Sequence, residues 1–179
     1  MKSKLPIYVE GHLDKAIIDK IIACIAMQSG NVIKSNDFFV DKANGIHAVL
    51  EKLLKATTTC IGIIDNDKRK PSAINKFEEC RPVASLSLQV LLNEDNGLNK
   101  FLFIFDPASE AWLVQCANSA NVLADFPILS DNNKLTKVSK SSQRINELNN
   151  VLNKVVFGNA EEATYLRKLV YRVMQTNRK

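Results

Sequence analysis

The acids are the informative residues of this 179-residue chain, which carries nineteen Asp and Glu beside two histidines and four cysteines. Glu10 directly follows a short apolar run, Pro6-Ile7-Tyr8-Val9. Asp65 and Asp67 directly follow a β-branched run, Thr57 to Ile64. Asp106 follows Phe101 to Phe105, and Glu110 lies one turn into the helix expected next. In open parallel sheets, ligand sites form outside the carboxyl ends of the strands. Four or five carboxylates converging there repel one another, and the cluster is tolerable only with protons or a cation among them. Hard cations such as Mg²⁺ take one or two carboxylates together with water and phosphate oxygens. Asp65-Asn66-Asp67 is a D-x-D whose two acids can reach one ion, although Asp and Asn also make ordinary turns. Glu10 and Asp14 are four apart across a strand-to-helix exit at Gly11. Asp14 has two readings, a second ligand in the same cavity or an acid placed to favour the first helical turn.

Other chemistries have less support. Cys24, Cys60, Cys80 and Cys116 are too scattered for zinc-ligand spacing and read as reduced cysteines, three of them in apolar periods. Neither a P-loop nor a G-x-S-x-G elbow is present. A phosphatase-type D-x-D belongs on the first strand, where this chain has Glu10-Gly11 instead. His12, beside Glu10, is expected at a water-exposed helix start, and His47 to pack beside Ile46. Trp112 is expected in the core.

The elements that must position the acids are read from periodicity. Leu13, Ile17, Ile18, Ile21, Ile22 and Ile25 form a 3.6-residue stripe, predicting a helix from about His12 to Ser29. Phe38-Phe39-Val40 is a candidate second strand, and Ile46, Val49, Leu50, Leu53 and Leu54 give a second helix. Continuous runs at 57–64 and 101–105 suit strands covered on both faces. Ser85 to Val90 alternates as a half-covered strand, and Glu94-Asp95-Asn96-Gly97 is a turn. A helix bearing Trp112, Leu113 and Cys116 follows Asp106-Pro107. Residues 127–140 read as loop. One helix is expected from about Ser141, and another after an Asn159 cap with Glu162 three residues on. Strands alternating with helices predict an α/β fold, a mostly parallel sheet with helices on both faces and a C-terminal helical extension.

Strand-Glu10-Gly11-x-x-Asp14-helix, followed by Gly62-Ile63-Ile64-Asp65-Asn66-Asp67-Lys68, resembles the TOPRIM domain shared by topoisomerases, bacterial primases, small RNA-maturation nucleases and OLD-family (overcoming lysogenization defect) nucleases. The Glu-x-x-x-Asp form looks most like the OLD-type branch and related defence proteins, as does Ser109-Glu110-Ala111-Trp112-Leu113. The resemblance covers roughly residues 5–118, and residues 120–179 match nothing in it. It implies a Rossmann-like catalytic domain over 1–120 with a helical extension over 121–179. It also implies an Mg²⁺-dependent nuclease, with Mn²⁺ as substitute, cutting DNA or RNA in a defence or nucleic-acid-processing system. Asp65 and Asp67 would hold the ion. Glu10 would act as general acid/base or share a second ion with Asp14, and Glu110 would complete that second site. Such nucleases also use a lysine; Lys68, Lys137 and Lys140 are the candidates, with Lys68 taken as the catalytic one together with Glu10. The rival expectation is a non-catalytic TOPRIM-like module that binds nucleic acid or a partner subunit, such as a separately encoded ATPase. Self-association is a further possibility for the partner.

Charge bears on the partner. The net charge is +5, and residues 131–179 carry ten Lys and Arg against four Asp and Glu, while residues 1–130 are nearly neutral. That asymmetry suits a polyanion contacted by the C-terminal part, with Arg167, Lys168 and Arg172 off the Leu166/Leu169/Val170/Val173 stripe as the expected contacts. The hydrophobic fraction of 46% and charged fraction of 24% exclude a disordered chain. No run approaches the roughly 18 apolar residues of a membrane span. The N-terminus lacks the apolar core of a secretory signal, so a cytoplasmic location is expected.

Overall fold

Apolar runs without polar interruption place three strands in the middle of one sheet. The computed structural model describes residues 4–30, 32–66, 70–83, 87–158 and 160–178, with the backbone alone at 81–83. Strands β1 (Leu5–Val9), β3 (Cys60–Asp65) and β6 (Leu98–Phe105) run parallel, and β2 (Phe38–Lys42) joins them outside β1. Strands β5 (Leu88–Asp95) and β4 (Glu78–Val83) add an antiparallel edge, giving the order β2-β1-β3-β6-β5-β4. The fold is therefore α/β with a mostly parallel sheet. Because β1, β2, β3 and β6 point the same way, Glu10, Lys42, Asp65 and the chain after Phe105 emerge at one edge.

Helices α1 (His12–Gln28) and α3 (Ser109–Ser119) cover one face of the sheet, and α2 (Ile46–Lys55) covers the other. Side chains alternate accordingly along β3: Ile61 and Ile63 join the α1/α3 core, and Cys60 and Ile64 the α2 core. Gly62 sits where α2 approaches closest. A Cβ there would lie 2.9 Å from Leu53 and 3.1 Å from Val49, so the missing side chain sets the helix–strand distance.

Helices α4 (Asn132–Ser139), α5 (Asn149–Phe157) and α6 (Glu161–Asn177) complete the chain. α5 and α6 pack over α1 and α3 in one continuous core that reaches from Leu5 to Met174. α1 is thus apolar toward the sheet and toward the outer helices, which accounts for its seven buried apolar side chains in seventeen residues. The N-cap of α6 is Ala160 rather than the expected Asn159, and Glu162 is engaged elsewhere. It is buried and accepts a hydrogen bond from the Ser119 hydroxyl at 2.6 Å, tying α6 to α3, while Asn159 lies outside the described residues.

Several expectations need correction. Residues 127–140 are not a loop: a 3-10 turn at Pro127–Ser130 leads into α4, whose start is capped by the Asp131 carboxylate accepting from the Lys134 N–H at 3.0 Å. Two apolar residues, Leu135 and Val138, are too few to show a period. The helix expected from Ser141 begins instead as a 3-10 turn at Ile145–Leu148 and continues as α5. β4 has no apolar alternation and contains Pro82, which an edge strand tolerates. The expected strand start at Ser85 and Leu86 lies outside the described residues, and the strand runs on to Asp95, so the β5–β6 turn is the tight pair Asn96-Gly97 with positive φ at both. His47 faces solvent rather than packing, because it sits off the Ile46/Val49/Leu50/Leu53 face. Trp112 is fully buried, as are Cys24, Cys60 and Cys116. No described helix is long and apolar enough to cross a membrane.

A shared core predicts shared unfolding. Leu166→Ala, at a fully buried position in α6, should cost about 2–5 kcal/mol and shift the urea transition read from Trp112, which lies in α3. An unshifted Trp112 transition would show that the C-terminal helices unfold separately.

Candidate metal centre

Two helix starts and two strand ends build the site. β1 delivers Glu10, whose backbone N–H still donates to Ile63 O at 3.1 Å in the ladder with β3. The chain turns at Gly11 into α1 and places Asp14 in its first turn. Asp14 Oδ2 accepts the Gly11 N–H at 2.7 Å, which satisfies one of the amides that a helix start leaves unpaired. β3 delivers Asp65. Its backbone N–H donates to Glu10 Oε2 at 3.3 Å, and its Oδ1 accepts from the Ser109 N–H at 2.8 Å, so Asp65 caps α3 from another element. Asn66 locks this strand end: its N–H donates to Phe105 O and Pro107 O, both at 2.9 Å, and its side-chain amide to Asp106 Oδ1 at 2.9 Å. Glu110, one residue further into α3, accepts a short hydrogen bond from the buried Ser139 hydroxyl at the end of α4.

Glu10, Asp14, Asp65 and Glu110 therefore line one cavity of about 310 Å³. Lys42, His12 and Lys140 stand at its rim. Burial pushes the Asp14 carboxyl up to about 6, with Glu10 and Glu110 adding to the rise and the Gly11 N–H and nearby Ser109 hydroxyl opposing it. Burial likewise pushes Asp65 up to about 8, aided chiefly by Asp14 and opposed by the Ser109 N–H. The Ser109 hydroxyl favours charge on Asp14 without meeting hydrogen-bond geometry: Asp14 Oδ1 is buried and has no hydrogen-bond partner among the described residues. The imidazole of His12 is held below its usual range by burial and by Lys42.

An orphaned, buried carboxylate oxygen beside three further acids fits a hard divalent cation, which favours oxygen ligands and neutralises what the fold leaves uncompensated. Asp14 and Asp65 would hold it, with Glu10 and Glu110 alongside. Among the described residues, no group of three His, Cys, Asp or Glu is already gathered around a single ion position.

The expected residues are only partly assembled. Glu10, Asp14, Asp65 and Glu110 share the cavity, whereas Asp106 is engaged with Asn66. Asp67 and Lys68 lie outside the described residues. Of the other two lysines considered, Lys137 is exposed and does not line the cavity, and Lys140 does. His12 is half-buried at the rim rather than fully exposed. Lys42, Ser109 and Ser139 were not anticipated. Lys42 ends a strand whose apolar signal stops at Val40, and Ser139 belongs to α4, which has too little apolar pattern to read. The basic residues of α6 sit elsewhere. Arg167 is half-buried, donating to Cys24 Sγ at 3.1 Å and Val156 O at 3.4 Å, and Cys24 is ten residues along α1 from Asp14, about 15 Å at helical rise. Lys168 and Arg172 are exposed. No family model, curated protein or solved structure matches the chain.

The raised carboxyls make stability pH-dependent. The folded chain binds more protons than the unfolded one, so metal-free stability should fall as pH rises from about 4, through about 6 for Asp14 and about 8 for Asp65. Asp14→Asn keeps the acceptor for Gly11 and removes the charge. In EDTA it should stabilise the protein by about 1–3 kcal/mol at the alkaline end and little at the acidic end. Denaturant melts across that range check this, and an equal effect at both ends would contradict it.

Proposed function

We propose that the chain is a divalent-metal-dependent phosphodiester hydrolase acting on DNA or RNA, with a TOPRIM-like catalytic arrangement over residues 5–118. The observation that carries this reading is the buried Asp14 oxygen without a hydrogen-bond partner among the described residues, in a side chain that lines one cavity with Asp65, Glu10 and Glu110 where the parallel strands end. A pure binder of polyanions gains nothing from clustered negative charge. A bound divalent cation supplies charge neutralisation at phosphoryl oxygens and an acidified water at that position. Asp14 and Asp65 bind it. Glu10, fixed beside Asp65 through the Asp65 N–H, is placed to accept a proton from the attacking water. Glu110, oriented by Ser139, narrows the cavity on the α3 side. Lys140 makes no ion pair among the described residues and stands with Lys42 where phosphate would enter. A defence role belongs to this same reading, whereas a separately encoded ATPase partner belongs to the non-catalytic alternative.

Glu10→Gln and Asp65→Asn should each lower Mg²⁺- or Mn²⁺-dependent cleavage of labelled DNA or RNA by about a hundredfold or more, while the chain stays folded. Wild-type protein that binds nucleic acid but cuts nothing in either metal would leave the non-catalytic module as the better description.

The basic face of α6 makes a separate contribution to this reading. Lys168 and Arg172 would contact backbone phosphate at a distance from the cavity, while Arg167 serves packing. Lys168→Gln with Arg172→Gln should flatten the log–log salt dependence of nucleic-acid affinity by about one to two. An unchanged slope assigns that face to a protein partner.

A further inference from the structure

We propose that the groove opening from the acidic cavity between α3 and α4 is a base pocket, so that the chain acts on unpaired nucleotides of single-stranded nucleic acid rather than on intact duplex. The inference rests on the hydrolase reading for the phosphate side of the site. The groove has a volume of about 370 Å³, within the roughly 300–1,000 Å³ of small-molecule sites. It shares Asp65, Glu110 and Lys140 with the acidic cavity, so the two adjoin across these side chains and differ in chemistry beyond them.

Among the described residues, the far half is uncharged. Ala108, at the N-cap of α3, and Ala111 and Val114 within it recur every three residues and form one wall, and Leu135 and Thr136 of α4 form the other, with the exposed Asn132 beside them. Ala111 and Val114 are half-buried and Leu135 is fully buried, so this is a floor built on the core. Small residues on α3 keep the groove open. A nucleotide has the matching division: an anionic phosphate, joined through a sugar to a flat, largely apolar base with a polar edge. Phosphate placed at Lys140 and the acids puts the attached base within reach of the uncharged half. The Asn132 amide, with both donors and an acceptor, and the Thr136 hydroxyl can pair with a base edge. In a duplex the base is stacked and paired, and it reaches such a pocket only by flipping out. In a single strand its faces are available, and burying them adds affinity.

Binding and cleavage by the full-length protein test this. A fluorescein-labelled oligothymidylate, a strand of equal length built of abasic residues, and the thymidylate annealed to oligoadenylate are compared by anisotropy in Ca²⁺. Oligothymidylate should bind at least about tenfold tighter than either the abasic strand or the duplex. Ala111→Phe, which fills the groove, should reduce oligothymidylate binding to the abasic level without changing abasic binding. Because Ala111 is half-buried, Trp112 fluorescence verifies the fold, and Asn132→Ala at an exposed position should independently give a several-fold loss for oligothymidylate alone. Equal affinity for all three probes, or a base preference that survives both substitutions, overturns the pocket. In Mg²⁺, duplex cut as fast as single strand and equally by Ala111→Phe overturns the pocket and leaves the hydrolase standing. Base-dependent binding with no cleavage in Mg²⁺ or Mn²⁺ supports the pocket and overturns the hydrolase.

Discussion

Asp14 is a carboxylate at 2% exposure set beside Glu10, Asp65 and Glu110, and the arrangement around it has to offset that burial. An isolated buried charge costs several kcal/mol unless it is paired, hydrogen-bonded or neutralised by a proton. Three features contribute here. The Gly11 N–H and the start of α1 meet one oxygen of Asp14, the Ser109 N–H and the start of α3 meet Asp65, and both carboxyls hold protons more strongly than in water. One Asp14 oxygen has no hydrogen-bond partner among the described residues. A fold selected for stability alone would place an asparagine or an apolar residue there, so the cost points to the site's use.

The rest of the architecture keeps these groups from moving apart. Parallel pairing of β1 with β3, and β3 with β6, brings Glu10, Asp65 and the start of α3 to one edge. Asn66 ties the ends of β3 and β6 together with backbone and side-chain hydrogen bonds. α1 cannot tilt to relieve repulsion at its first turn, because it is packed between the sheet and α5/α6. α4 reaches back to Glu110 through Ser139 and brings Lys140 to the rim. The C-terminal segment is thus a structural part of the acidic site as well as a layer over it.

Much of this was readable from residue order. Glu10 and Asp65 end uninterrupted apolar runs, and such runs can hardly be anything but central strands. The α1 stripe is long enough to determine which face is buried. What escaped depended on contacts distant in sequence or on segments with weak patterns. Asp14 permitted a helix-start reading and a site reading, and the structure shows it accepting the Gly11 N–H and lining the cavity at once. Arg167 lies off the apolar stripe, yet its guanidinium curls onto the end of α5, which only tertiary packing decides. Asp106 matched the strand-end pattern but is turned toward Asn66. Lys42 and Ser139 became visible only when β2 and α4 were in place.

The account stands on the acidic cavity being a cation site that the metal-free protein occupies with protons. Calorimetric titration of Mn²⁺ or Mg²⁺ into the full chain near about pH 7, in two buffers of different ionisation enthalpy, measures this directly. Because Asp65 holds its proton up to about 8, binding should release protons, and the observed heats should differ between the buffers by that release. Absence of binding, or binding with the same heat in both buffers, would contradict the account.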